Sequence, residues 1–283
     1  MGYIFFGGKQ IGSHILQKLI EDGSLPLAIV SYQDIIDPAV LELAKQKGVQ
    51  VLQIEKFKKS VEQILALVKD VNADMFVSVA FPFILPGEVL RSVKYPINVH
   101  SAEIPKYRGF HPLSAAFAND EPRQGTTVHL MTEEVDAGKI ILQDFVPVSN
   151  EDDIVTIRTA LTELSYKLLK QALKQVAENK LELRDQAGEV LGAPKRTPED
   201  SKIDFAQPSR KLHNFIRALV DPYPNAFGYT DDGSTVKIKK SIASNKPGVI
   251  LDKTLGGKYV VSTADGVVLV ELDKDLKIGD TIK

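Results

Sequence analysis

"YIFFGGKQIGSHILQKLIEDGSLPLAIV", residues 3–30, sets two short apolar runs, "YIFF" and "LAIV", on either side of a helix-like stretch over 10–22. An apolar run of four, an amphipathic stretch and another apolar run is the pattern of a βαβ unit. It repeats: a helix-like 38–47, "VQVL", a helix-like 58–70, "MFVSVA", and a further run, "YPINVH", at 95–100. That order predicts a mostly parallel sheet covered by helices on both faces. Past it, "GTTVHLMT" and "KIILQDFV" stand six residues apart, short enough for a hairpin-like connection at the sheet edge. Over 153–178, Ile154, Ile157, Leu161, Leu164, Leu168 and Leu173 fall at helical spacing and predict a long helix closing the first domain.

Prolines and charges crowd together between 192 and 209, the composition of a boundary, which divides the chain into domains 1–200 and 201–283. In the second domain a short helix over 209–220 precedes "TVKIKK", "GVI", "KYVVST" and "GVVLVEL", separated by Gly and Asp turns. These predict a small antiparallel barrel.

Composition narrows the function classes. The 283 residues are 43% hydrophobic and 25% charged, and 35 basic against 37 acidic residues give a net charge of -2. Such a balance supplies no overall attraction to nucleic acid or anionic membranes. With no cysteine there is no disulfide, thiolate zinc site or cysteine nucleophile. No apolar stretch reaches the roughly 18 residues a membrane span needs, the opening lacks a secretory signal, and Phe6 stands where a myristoylation signal needs Ser or Thr. The expected compartment is the cytoplasm, and a homodimer is kept open.

Gly7 and Gly8 follow the first strand and precede a helix, where a phosphate could approach the backbone. Their spacing is G-G-x-x-x-G where a dinucleotide fingerprint has G-x-G-x-x-G, and a tight βα turn is the more ordinary account of them. Asp34, 22 residues beyond Gly12, could meet a ribose, which keeps a nicotinamide- or nucleotide-binding sensor as a reading from another class. Asn98 and His100, two apart in a strand, project together at its carboxyl end, where open α/β sheets bind ligands. His14 and His213 on helices and His129 in a strand have no partner at metal-ligand spacing, and no metal is expected.

The order Asn98-x-His100, "IPKYRG", "GTTVHLMTEEVDAG" with Asp136 resembles the folate-dependent formyltransferase family. The resemblance spans essentially the whole chain. It implies a Rossmann-like first domain, a carboxyl-terminal domain of oligonucleotide-binding type, and transfer of a formyl group from 10-formyltetrahydrofolate to a primary amine. It also implies Asn98, His100 and Asp136 as the catalytic set. Attack by an amine puts negative charge on the formyl oxygen, which Asn98 and His100 could stabilise, while His100 exchanges the amine proton and Asp136 tunes it. Phe83, Ile84 and Leu85 match the loop that edges the pterin, and Thr132, Glu133, Glu134, Val135 and Asp136 match the loop that reads its hydrogen-bonding edge. Lys106, Tyr107, Arg108 and Gly109, with Gly7 and Gly8, are the expected substrate contacts.

"RTPEDSKIDFAQPSRKLHNFIRALVDPYPNAFGY" is similar to the domain junction of the UDP-4-amino-4-deoxyarabinose formyltransferase branch. Departures are Ala102 and Glu103 where Ser and Leu are usual, and Phe110 with His111 where that branch has arginine. The expected acceptor is therefore a nucleotide-linked amino sugar, with methionyl-tRNA as the alternative. Two counts argue against tRNA. "SYQDIIDPAVLELAKQKG", after the second strand, has no cation before Lys45, and 201–283 holds 13 Lys or Arg against 10 Asp or Glu.

Overall fold

A computed structural model describes residues 2–32, 35–230, 232–243, 257–263 and 267–273. The first part runs β1 (Tyr3–Gly7), α1 (Lys9–Glu21), β2 (Ala28–Tyr32), α2 (Pro38–Gln46), β3 (Gln50–Ile54), α3 (Val61–Asp70), β4 (Met75–Val79), α4 (Gly87–Leu90) and β5 (Tyr95–His100). There follow β6 (Arg108–Gly109), α5 (Pro112–Ala118), β7 (Arg123–Leu130), β8 (Ile140–Pro147), α6 (Ile154–Ala177) and β9 (Gly192–Ala193). The last elements are α7 (Ser209–Arg217), β10 (Ala226–Tyr229), β11 (Thr235–Ala243), β12 (Tyr259–Ser262) and β13 (Val267–Leu272).

The large sheet has the order β3-β2-β1-β4-β5-β7-β8. Its first five strands are parallel, and β7 turns antiparallel against β5. Strand β1 is buried throughout, so every residue must find apolar company. Its alternation sorts the residues: Tyr3 and Phe5 enter one core and Ile4 and Phe6 the other. Leu16 and Leu19 of α1 and Leu169, Ala172 and Val176 of α6 fill the first core. Ile64, Leu67 and Val68 of α3 fill the second.

Four strands in the order β10-β11-β13-β12, all antiparallel, form a separate sheet over a core of Leu212, Ile216, Leu219, Ile238, Val268 and Val270. The expected strand at "GVI", 248–250, lies outside the described residues, as does Asp34.

By compactness the chain forms two units, and neither is one run of sequence. One comprises Met1–Arg108, Gly125–Phe145 and Ala160–Gly192, the other Gly109–Gln124, Val146–Thr159 and Ala193–Lys283. Within the second unit α7 explains the recruitment of the two upstream segments. Arg210 meets Asp120 at 2.6 Å, Asn214 donates to the same carboxylate at 2.9 Å, and the Arg217 guanidinium donates to the Asp152 carbonyl at 3.1 Å. Among the described residues no helix is long and apolar enough to cross a membrane.

Candidate active site

Strand β5 delivers Asn98 and His100, and β7 delivers a histidine opposite them. In the antiparallel register Asn98 faces His129, and His100 faces Thr127. The loop after β7 then brings Asp136 onto the same face. Asp136 Oδ2 lies 3.4 Å from His100 Nδ1, Oδ1 lies 3.4 Å from His129 Nε2, and Asn98 Nδ2 reaches Oδ1 at 3.5 Å. Asn98 Nδ2 also donates to His129 Nε2 at 3.1 Å, while His129 Nδ1 donates to the Leu130 carbonyl at 2.8 Å. The structure thus brings Asn98, His100 and Asp136 together and adds His129, whose side chain is 1% exposed.

His100 has a defined tautomer. Its Nε2 is 2.9 Å from the Tyr107 carbonyl oxygen, which can only accept, so Nε2 carries the proton. In the neutral ring Nδ1 is then a bare lone pair directed toward Asp136. Burial pushes the imidazole below its ordinary value, the Asp136 carboxylate and Tyr107 carbonyl act the other way, and His129 lowers it further. The resting site therefore holds a neutral base next to an acid that stabilises its protonated form.

Close backbone approaches shape the two loops. A Cβ on Gly138 would stand 1.8 Å from the Leu130 carbonyl oxygen, so only glycine lets the Asp136 loop return to β7. Leu130 N then donates to Lys139 O at 2.9 Å and closes the loop. A Cβ on Gly125 would come within 2.9 Å of Glu103 N, and beyond it the Thr127 hydroxyl donates to Ala102 O at 2.6 Å. The "GTT" triplet is thereby the dock for the 101–107 segment. Tyr107 (φ 61°) and Asp136 (φ 53°) both lie in the left-handed region, a strained geometry for non-glycine residues that clusters at functional sites.

The other expected contacts divide. Ile84 is 56% exposed, whereas Leu85 is buried in the core and the Phe83 ring stacks on Phe57 at 4.7 Å. Thr132 donates to the Glu134 carbonyl at 2.9 Å, Glu133 pairs with Arg91 at 2.6 Å, Glu134 with Arg108 at 2.9 Å, and Val135 is exposed. Lys106 is half-buried, and Tyr107 buries its ring and contributes its carbonyl. Gly109 (φ 116°) lets its backbone approach Ala193 O.

Gly8 N donates to Val79 O, and a Cβ on Gly12 would be 2.9 Å from that oxygen. The first-turn glycines thus seat α1 on β4. A cleft of about 580 Å³ opens beside them, lined by Lys9, Gln10, Ser13, His14 and Asp37 among others, apart from the Asn98–His100–Asp136 cluster. His14 pairs with Glu163 at 2.8 Å, and His213 lies between Ser241 Oγ and Asn150 O.

An amide, a lone-pair imidazole and a nearly buried carboxylate gathered at the carboxyl end of β5 match the chemistry of acyl transfer to an amine, and two family models agree. Residues 3–173 match the formyl transferase family and 195–277 its C-terminal domain. The chain belongs to the formyltransferase family. It is a folate-dependent formyl-transfer enzyme, of a family whose formyl donor is 10-formyltetrahydrofolate. It is 34% identical over 266 residues to the methionyl-tRNA formyltransferase of Caldanaerobacter subterraneus subsp. tengcongensis, covering 89% of this chain and 85% of that protein. It is 30% identical over 299 residues to the methionyl-tRNA formyltransferase of Citrifermentans bemidjiense, covering 99% and 92%. In fold it is similar to WlaRD, a sugar 3N-formyl transferase solved in the presence of dTDP and 5-N-formyl-THF, with a TM-score of 0.75, 18% identity and coverage of 98% and 99%.

These relatives overturn the expectation of a nucleotide-linked amino sugar as acceptor and of tRNA as an unlikely partner. Eight curated relatives, 28–34% identical over most of the chain, are methionyl-tRNA formyltransferases, whereas the sugar enzymes are similar in fold at 20% identity or below.

"LHNFIRALVDPYPNAFGY" carries Leu212, His213, Asn214, Ile216, Arg217, Leu219, Asn225 and Ala226 in the interior, where they pack and do not face an acceptor. In the stretch without a cation before Lys45, Asp37 caps α2 by accepting from Ala39 N at 2.9 Å, so this acid serves the helix end. A net surplus over a domain also says little about phosphate binding, which depends on the few cations that reach the backbone.

Proposed function

We propose that the chain is a methionyl-tRNA formyltransferase, moving a formyl group from 10-formyltetrahydrofolate to the α-amino group of methionine esterified to tRNA. One geometric observation carries the chemistry: His100 Nδ1, bare because Nε2–H is committed to Tyr107, faces the Asp136 carboxylate 3.4 Å away. The identity of the curated relatives supports the acceptor.

The residues present fit a folate. The loops at 83–87 and 132–136 are neighbours, since a Cβ on Gly87 would meet the Glu133 carboxylate, and each presents an exposed aliphatic side chain, Ile84 and Val135. These are the residues that would hold a flat ring, together with the backbone of Thr132–Asp136. The folate supplies an activated formyl carbon when bound. His100 Nδ1 takes the proton that the acceptor amine gives up, Asp136 stabilises the imidazolium so formed, and the same proton would go to the tetrahydrofolate nitrogen as its bond to the formyl carbon breaks, leaving His100 neutral again. Asn98 Nδ2 carries two hydrogens, one directed to His129 Nε2 at 3.1 Å and one to Asp136 Oδ1 at 3.5 Å; the second, held only at long range, is the one that turns to the oxygen on which negative charge develops. His129 holds that amide in the donating orientation. Residues 1–200 carry the chemistry and 201–283 position the acceptor, with the cytoplasm as the site of action.

The test is formylation of methionyl-tRNA in the presence of 10-formyltetrahydrofolate, read as formylmethionine after ester hydrolysis. Uncharged tRNA and free methionine serve as controls.

A further inference from the structure

The segment after α6 has no regular secondary structure of its own, yet it reaches both loops of the site. Ile140 and Arg184 exchange two backbone hydrogen bonds, Ile140 N to Arg184 O at 2.8 Å and Arg184 N to Ile140 O at 3.0 Å. This bridge fixes the register of the residues that follow on the edge of β8. From it the Arg184 guanidinium donates to Gln143 Oε1 at 3.1 Å, and Gln143 Nε2 donates to the Ile104 carbonyl at 3.0 Å. The 101–107 loop is held through that path.

Two residues on, the Gln186 amide is saturated. Its Nε2 donates to the Asp136 carbonyl at 2.8 Å and to the Gly138 carbonyl at 2.7 Å. Its Oε1 accepts from Arg108 Nη2 at 2.8 Å and Nε at 3.2 Å. Two acceptors on one side and a guanidinium on the other leave a single orientation for the amide, because reversing it would set two oxygens against one another and two donors together. Arg108 Nη1 in turn meets Glu134 at 2.9 Å. Gln186 therefore ties the backbone of Asp136 to the residue following Tyr107, whose carbonyl holds His100.

We infer that Gln186 is a positioning residue for formyl transfer: it holds the strained Asp136 backbone so that the carboxylate stays opposite His100 Nδ1. The inference rests on the formyl-transfer reading of the site. The need for such a clamp follows from φ 53° at Asp136, a conformation the chain leaves when its carbonyl partner is lost. Asp136 and His129 are the titratable groups that face His100. A carboxylate that drifts away removes the interaction that favours the imidazolium.

Gln186→Met keeps the length of the side chain and deletes all four hydrogen bonds. Gln186→Leu deletes the same four hydrogen bonds without adding charge and is the second variant. The decisive readout is the titration of His100 by NMR in the full chain, which needs no acceptor substrate. Both variants should move its midpoint to lower pH, and Gln186→Met should leave it unmoved once Asp136→Asn is already present. In turnover, kcat should fall on the order of tenfold to a hundredfold, as a misplacement of about 1 Å does, with KM for folate nearly unchanged. A His100 midpoint unchanged in whichever variant folds would overturn the inference. A wild-type chain inactive on methionyl-tRNA would refute the acceptor and leave the titration result standing.

Discussion

His100 Nδ1 lies 3.4 Å from Asp136 Oδ2, and both side chains are about one-tenth exposed. At that depth the carboxylate acts on the ring with little screening, and it supplies the charge that offsets part of the burial penalty on the imidazolium. Asp136→Asn removes that charge with little change of shape. Turnover should fall roughly a hundredfold or more, within the span of general acid–base contributions. The acid limb of the kcat profile should move to lower pH, because the protonated ring has lost its partner. An acid limb that stays in place in this variant would sever Asp136 from His100.

The wild-type profile follows from the direction of the His100 shift. Its folded pKa lies below the ordinary value of 6.5, so the base is neutral at and above that pH and activity is lost only in more acidic solution. Stability follows the same sign. His100 and His213 are both pushed down by burial, so an unfolded chain binds protons that the folded one refuses. Their contribution is full above about pH 6.5 and is lost as pH falls through the depressed folded values. Urea unfolding at pH 7.5 and 5.5 should give the lower stability at 5.5, and His213→Gln should reduce the difference.

Gly138→Ala places a methyl group on the Leu130 carbonyl oxygen, 1.8 Å away before relaxation. The loop carrying Asp136 must move, and stability should drop by about 1–3 kcal/mol or more. Gly192→Ala, where nothing stands within 4 Å of the new carbon, is the control and should stay within about 0.5 kcal/mol. Equal thermal midpoints for the two variants would contradict the tight return of this loop to β7.

How far the chain was legible depends on the range of the interactions. The βαβ alternation and the period-2 pairing of Asn98 with His100 are local, and the structure keeps both. Asp136 entered through family resemblance, since nothing in "EEVDAG" alone states that the loop folds back. His129 was passed over because its role comes from the register of β7 on β5, which places it opposite Asn98 and which no short window encodes. Tyr107 acts through its carbonyl, invisible in a side-chain reading, and Gln186 sits in an irregular segment with no periodicity. The acceptor is not legible in residues 212–229 because many of that stretch's residues are interior ones, which report packing and not specificity.

Asn98→Ala should lower turnover on the order of a hundredfold, the usual effect of losing one donor at a developing negative charge, with folate affinity retained. His129→Ala should show a smaller loss in the same direction, since it removes the acceptor that orients the Asn98 amide at 3.1 Å. Calorimetric folate binding beside single-turnover rates separates these effects. A loss confined to binding would remove Asn98 from the chemical step.

The acceptor itself is tested most directly by single-turnover formylation of methionyl-tRNA at low and moderate salt, beside a set of amino-sugar nucleotides at matched concentration. The expectation is rapid appearance of formylmethionine on tRNA, with a KM for tRNA that rises steeply with salt as phosphate contacts are screened, and no formylated sugar. Turnover of an amino-sugar nucleotide with methionyl-tRNA left unmodified would contradict it.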